Sequence, residues 1–352
     1  MKKLESFLKN ILLRILLFLK RRKPDPSKVH FNTHSKILFI RLNRIGDALV
    51  TTPLIKEVKE KLGCQIDILA DQKNHFIFAN NPHVDNIFIF QKGFYGFQDA
   101  LKIMGGRKYD AVVDLHDDIS ATVSFLLAFC QCYNIFGFSK GNDHVYTKTV
   151  PRPDPRTTHV VDRLLALEEL FSIQADQNSH IIYCVNERIK TKVHNSVIKR
   201  FPDKRFLLGI NISAGSDARF WGINKYIQLH KTLSAYDIDI VFLCSTRDIK
   251  LAMAITNDKE KIFYSPSFDE FSAMISELDM LFTPDTSVIH IASAFNIPLF
   301  GLYVKYNTND MIWSPYKSDY DFVVTEEPNL HNISLDQVII KFIPFLEKYI
   351  KK

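Results

Sequence analysis

Asp285-Thr286-Ser287-Val288-Ile289-His290 brings a carboxylate, two hydroxyls and an imidazole into one short stretch of chain. The flanking sequence reads as a short buried strand (280–282), a polar turn, a helix over 288–295 carrying His290, and another strand (299–303). Such a unit sets hydroxyls, a carboxylate and unbonded helix N–H groups at the carboxyl edge of a parallel sheet, where open α/β sheets bind nucleotides and phosphates. Asp285 is a candidate acceptor for a ribose or sugar hydroxyl, and Thr286 and Ser287 are candidate hydroxyl donors. A lone helical histidine is usually structural, but His290, one turn past a polar start, points the same way as the turn's side chains.

Asn43-Arg44-Ile45-Gly46-Asp47 lies between an apolar strand, KILFIRL, and a helix, ALVTTPLIKEVKEKL. Gly46 permits a tight turn and Asp47 falls at the helix N-terminus. Two readings stand side by side. Asp47 is an N-cap accepting backbone N–H bonds, or it is a carboxylate at the mouth of an inter-domain cleft, able to take a proton from a substrate hydroxyl. Asn43 and Arg44 of the same turn are candidate acceptor-binding residues. No G-x-G-x-x-G fingerprint follows the strand, which weakens a dinucleotide reading.

A third constellation, Asn211-Ile212-Ser213-Ala214-Gly215-Ser216, follows the strand FLLGI and precedes Arg219-Phe220-Trp221. A small-residue loop such as this can cradle a phosphate, with Ser213 in it and Arg219 supplying a fixed positive charge to a diphosphate. The alternative makes Arg219 a solvated surface residue and Trp221 core. Metal chemistry finds little support. Asp237-Ile-Asp239 precedes the strand DIVFLC where a metal-binding pair would follow one, and Asp117-Asp118 has no evident partners. No H-E-x-x-H and no nucleophile elbow is present. No metal and no cofactor is expected.

These turns need strands and helices to hold them. From Lys36 the chain alternates short apolar strands (KILFIRL, IDILA, NIFIF, YDAVVDL) with helices, the pattern of a parallel sheet covered on both faces. After PRPDPRTT and the amphipathic HVVDRLLALEELF, the alternation restarts near Phe201 with FLLGINI, KYIQLHKTLSAY, DIVFLC, DIKLAMAI, IFYS and FDEFSAMISEL. The expectation is an α/β protein with two Rossmann-like domains facing across a cleft and an N-terminal amphipathic helix. Its parts are a basic helix and linker (1–35), an N-terminal acceptor domain (36–175), a linker region (176–203), a C-terminal donor domain (204–330) and a final helix (331–352). Segments 91–108 and 137–150 read as polar, Gly-containing loops.

A chain of 352 residues suits two domains, and 46% hydrophobic content supplies real cores. The net charge of +6 is concentrated at one end. Residues 1–23 carry eight Lys/Arg and one acid, while the other 329 residues carry 37 basic and 38 acidic side chains. A neutral body argues against a nucleic-acid surface. Within the tail, Leu4, Leu8, Ile11, Leu12, Ile15, Leu16 and Leu19 fall at helical spacing with Lys and Arg between them. The apolar run 15–19 is far below the roughly 20 residues of a spanning helix. An in-plane helix on an anionic membrane surface fits better, with docking on the protein's own body or on a partner as the alternative. Pro24-Asp25-Pro26 ends that helix. The five cysteines are scattered with no C-x-x-C pair, which suits a reducing cytoplasm.

Taken together, these segments resemble the ADP-heptose–lipopolysaccharide heptosyltransferases, glycosyltransferase family nine, with the two-Rossmann GT-B fold. The resemblance is carried by ILFIRLNRIGDALVTTPLIKEVKEKL, NPHVDNIFIF, YDAVVDLHDDIS, HVVDRLLALEEL, NISAGSDARFWGINKYIQL and DMLFTPDTSVIHIASAFNIPLFGLY, in order over about residues 36–325. It implies an inverting, metal-independent transfer of heptose from ADP-heptose to the inner core of lipopolysaccharide or lipooligosaccharide. The acceptor would be a lipid-linked oligosaccharide at the cytoplasmic face of the inner membrane. Asp47 would be the base, Arg219 would stand where the family usually has Lys beside the diphosphate, and Asp285, Thr286 and His290 match the family's Asp-Thr-Gly-x-x-His donor turn. Ser287 departs from that pattern, since it replaces the Gly. Rivals are a transferase of the same fold using another nucleotide sugar, a non-catalytic membrane-attached glycan-binding protein and, more distantly, a dehydrogenase.

Overall fold

The computed structural model describes residues 29–203 and 205–351, so the expected helix over 1–23 lies outside the described residues. The chain separates into two compact units at Ile182/Tyr183, within the 176–203 stretch.

In the first unit, β1 (Lys36–Arg41), β2 (Gln65–Asp71), β3 (Asn86–Phe90), β4 (Ala111–Asp114), β5 (Ile135–Ser139) and β6 (Lys148–Pro151) form one sheet in the order β3-β2-β1-β4-β5-β6. Every neighbouring pair is parallel. Between the strands run α1 (Ile45–Leu49), α2 (Thr52–Leu62), α3 (Phe94–Gly106) and α4 (Ala121–Phe129), and α5 (Val160–Leu165) follows β6. The central strands are apolar on both faces because helices cover both, and Leu38, Ile40, Leu69, Val112 and Leu126 meet in one core.

The single helix expected after the first strand is two. Pro53 has no N–H to continue a ladder, so the chain breaks after Leu49 and restarts with the proline in the first turn of α2. Thr51 and Thr52 hydroxyls donate to the Ala48 and Leu49 carbonyls (2.6 and 2.7 Å), which closes the break. Gly63 at φ 62° then ends α2 in the left-handed conformation that favours glycine. The segments read as loops are also more ordered than expected. Residues 91–108 are mostly α3, and 137–150 contains parts of β5 and β6. Gly137 explains β5: a Cβ there would lie 2.6 Å from Cε1 of Tyr146, so only glycine lets that ring cover the strand.

The second unit holds β7 (Phe206–Asn211), β8 (Ile238–Cys244), β9 (Ile262–Tyr264), β10 (Met280–Pro284), β11 (Leu299–Val304) and β12 (Tyr320–Thr325), in the order β12-β11-β10-β7-β8-β9 and all parallel. Read from the opposite edge, this is the strand order of the first unit. Its helices are α6 (Glu187–Arg200), α7 (Ile223–Leu233), α8 (Ile249–Thr256), α9 (Phe268–Ser276), α10 (Val288–Ala294) and α11 (Leu335–Ile350). Within 176–203, α6 is a capped helix packed on α9, with Asn186 accepting the Arg188 N–H. The final helix, α11, begins with a Ser334/Gln337 capping box and places Val338, Phe342 and Leu346 in the core of this unit, beside Phe282 and Phe300.

Candidate active site

In a doubly wound sheet the crossovers leave two adjacent central strands in opposite directions, and a crevice opens at their carboxyl ends. In the first unit those strands are β1 and β4; in the second they are β7 and β10. The candidate residues of the first unit lie in the turn after β1. Those of the second lie in the turns after β7 and β10.

Asp47 sits inside α1, not at its cap. The N-cap position is Arg44, with no side-chain cap bond, so the N-cap reading of Asp47 fails. The carboxylate is bound instead by Arg41, the last residue of β1, whose Nη2 lies 3.0 Å from Asp47 Oδ1. Asn43 Nδ2 approaches the same oxygen at 3.4 Å. Arg41 is fully buried, while the Asp47 side chain keeps 18% of its surface exposed. Burial pulls the Arg41 guanidinium below its ordinary pKa, against the upward pull of Asp47 and of more distant carboxylates. Asn43 and Arg44 are exposed on the same turn.

The turn is fastened from behind by residues that sequence reading did not single out. Asn74 Nδ2 donates to the Arg41 and Asn43 carbonyls (3.1 and 2.9 Å). The Leu42 N–H donates to Nε2 of His116 at 3.1 Å, and His116 Nδ1 meets Asp114 Oδ1 at 2.6 Å. A ring whose Nε2 accepts a backbone N–H carries its proton on Nδ1, so His116 is neutral and donates to Asp114. Burial holds the His116 pKa below the ordinary imidazole value, despite Asp114. Burial alone would raise the Asp114 carboxyl, but Lys140 (2.9 Å), His116 and the Tyr146 hydroxyl (2.6 Å) hold it well below the carboxylate range. Asp117, next in the loop, has two partners after all: Arg152 at 3.0 Å and Arg163 at 2.7 Å.

In the second unit Asn211 Nδ2 donates to Thr283 Oγ1 at 2.9 Å, which ties the ends of β7 and β10 together. Arg219 leaves a short 3-10 turn and pairs with Asp285, Nη2 to Oδ2 at 3.0 Å. Burial raises the Asp285 pKa and Arg219 only partly offsets it. Thr286 Oγ1 accepts the Val288 N–H at 3.4 Å. Ser287 has φ −58° and ψ −16°, so its backbone needs none of the freedom of glycine. What Ser adds at this position is a Cβ and a hydroxyl.

Two candidates have partners or burial of their own within the fold. The Ser213 hydroxyl is committed within the fold, donating to Asp248 Oδ2 at 2.5 Å and accepting the Ser245 N–H at 2.7 Å. Ser245 Oγ also reaches Asp248, at 2.7 Å, so Ser213 locks the β7 loop to the end of β8. His290 is only 3% exposed and lies 6.0 Å from the Trp313 ring. Trp221 is core, with Nε1 donating to the Ile333 carbonyl at 3.0 Å. Asp237 and Asp239 both bind Arg205, as an ordinary turn would. Among the described residues no group of three or more His, Cys, Asp or Glu is placed to hold a metal ion, and no helix is long and apolar enough to cross a membrane.

Two parallel sheets with the same doubly wound order, each with polar groups at its switch point, are the architecture of the α/β GT-B fold. Residues 99–339 match the family model of glycosyltransferase family 9 (heptosyltransferase), and the chain belongs to that family. It is similar to the lipopolysaccharide core heptosyltransferase OpsX of Haemophilus influenzae, 20% identical over 303 residues that cover 83% of this chain and 85% of that one. A family 9 glycosyltransferase from Veillonella parvula has the same fold, with a TM-score of 0.79 at 18% identity over 92% of this chain and all of that one. Escherichia coli heptosyltransferase WaaC, solved with ADP, superposes with a TM-score of 0.68 at 13% identity over 90% of this chain and 100% of its own. The chain is therefore a glycosyltransferase of the heptosyltransferase kind.

Proposed function

We propose that this enzyme transfers heptose from ADP-heptose to a sugar hydroxyl of the lipopolysaccharide or lipooligosaccharide inner core, with inversion and without a metal ion. The observation that carries the reading is the Asp47 carboxylate. It caps no helix, it is anchored through one oxygen to a buried guanidinium, and it remains partly exposed at a switch point. A carboxylate so held can take the proton from an acceptor hydroxyl as that oxygen attacks the anomeric carbon; the glycosidic bond to the diphosphate breaks and the nucleoside diphosphate leaves. Asn43 and Arg44, exposed beside it, contact the acceptor.

On the donor side Arg219 offers a fixed cation to the diphosphate, and the Thr286 and Ser287 hydroxyls bind its oxygens. A preorganised guanidinium can stabilise the leaving charge, which removes the need for a metal ion. Asp285 orients Arg219 in the free enzyme and accepts a donor hydroxyl. His290, buried in the helix that follows the turn, supports it, and Ser213 acts by fixing its loop. The adenine nucleotide is supported by WaaC, whose structure holds ADP. The basic segment 1–23 is proposed to hold the enzyme on the anionic cytoplasmic face of the inner membrane, where a lipid-linked acceptor is presented.

Mass analysis of lipopolysaccharide from a deletion strain tests the substrate assignment. The expected core is shorter by one heptose, and an unchanged core contradicts the proposal. Calorimetric titration with ADP, UDP and GDP tests the donor, and a clear preference for UDP removes ADP-heptose.

A further inference from the structure

Arg41 is the largest charged side chain with no exposure, and a buried guanidinium is costly unless its donors are spent well. Its donors go to two places. Nε donates to the Asp47 carbonyl at 2.9 Å and Nη2 to Asp47 Oδ1 at 3.0 Å, while Nη1 donates to the carbonyl of Leu115, just beyond β4. One rigid planar group therefore grips both the backbone and the side chain of Asp47, and its far edge is braced on the neighbouring central strand. Asp47 Oδ1 takes the Arg41 and Asn43 contacts, and Oδ2 accepts no hydrogen bond among the described residues.

We infer that Arg41 is a positioning residue for catalysis: it fixes Asp47 so that Oδ2 alone is presented to the acceptor hydroxyl. Fully enclosed, Arg41 touches no substrate and acts only through Asp47. The fork geometry is the essential property. A lysine ammonium keeps the charge but is a single point, and it cannot hold a backbone carbonyl, a carboxylate oxygen and the Leu115 carbonyl in one plane. The inference rests on Asp47 being the base, so its test must separate the two.

The test uses the full chain with Arg41→Lys, Arg41→Gln, Asp47→Asn and the Arg41→Lys/Asp47→Asn double variant. Heptosyl transfer from ADP-heptose to core lipid of the deletion strain gives kcat and KM. ADP calorimetry and far-ultraviolet dichroism report binding and fold. A misplaced base costs on the order of 100-fold in rate, so Arg41→Lys is expected to lower kcat by about that factor, with donor KM and ADP affinity changed less than about threefold. In the Asp47→Asn background Arg41→Lys is expected to cost nothing further, because a residue acting through another is non-additive with it. Wild-type kcat in Arg41→Lys, a loss that multiplies fully with that of Asp47→Asn, or failure of both Arg41 variants to fold would overturn the inference in favour of a structural role. Turnover retained by Asp47→Asn would instead overturn the base assignment itself, whatever Arg41 does.

Discussion

The amide of Leu42 donates to Nε2 of His116, 74 positions further along the chain, at 3.1 Å. That bond joins the turn carrying Asp47 to the buried Asp114–His116–Lys140–Tyr146 group, and it requires a neutral imidazole. A proton on Nε2 would turn the acceptor into a second donor facing an N–H.

Stability should therefore fall in mild acid. Burial keeps the folded His116 pKa below its ordinary 6.5, so below that pH the unfolded chain takes up a proton before the folded one does. The stabilisation is complete above about pH 6.5 and is lost as pH falls through the folded pKa. Asp114, also lowered, adds a loss of the same sign at more acid pH. Thermal unfolding at pH 7.5 and 5.5 checks this: the midpoint is expected to be lower at 5.5. In His116→Gln, which keeps an acceptor and does not titrate, that difference should shrink. An equal difference in both proteins would count against the role of His116.

Arg219 pairs with Asp285 in the free protein, and its proposed ligand is the donor diphosphate. Charge-assisted hydrogen bonds contribute about 1.5–3 kcal/mol, which corresponds to roughly 10- to 100-fold in affinity. Arg219→Ala should weaken ADP binding by that factor and leave adenosine binding within about twofold, as read by calorimetry. Equal losses for both ligands would place Arg219 away from the phosphates.

Gly137→Ala should destabilise the first unit by about 1–3 kcal/mol, the usual cost of overpacking. The added Cβ would meet the Tyr146 ring at 2.6 Å, and that ring cannot swing away without dropping its hydroxyl bond to Asp114. Urea unfolding gives the measurement; a change below about 0.5 kcal/mol would mean that the ring has room to move.

The legible parts of this molecule were local. Strand β1 is a continuous apolar run, and β7 and β10 are similar, so their carboxyl-end turns and the polar residues in them could be read from the chain. β5 and β6 are hard to read because each is short and mixes polar residues with a glycine or a proline, and β12 because it is a partly exposed strand at the sheet edge. The break between α1 and α2 had a visible signal, Thr-Thr-Pro, that was outweighed by the apolar periodicity around it. The support of the site was not legible. Arg41 looks like the polar end of a strand, and nothing local connects His116 or Asn74 to the Asp47 turn. Their roles come from β1 lying beside β4 and β2 in the sheet. The burial of His290 was likewise not legible from its spacing, since it depends on residues distant in the chain such as Trp313.

Asp47→Ala tests the central claim most directly, with transfer from ADP-heptose and ADP binding measured on the same preparation. Loss of turnover with ADP affinity within about threefold of wild type is the expected result, since a general base contributes about 10²- to 10⁴-fold to rate and nothing to nucleotide binding. Turnover close to wild type, or loss of ADP binding in parallel with turnover, would contradict Asp47 as the base.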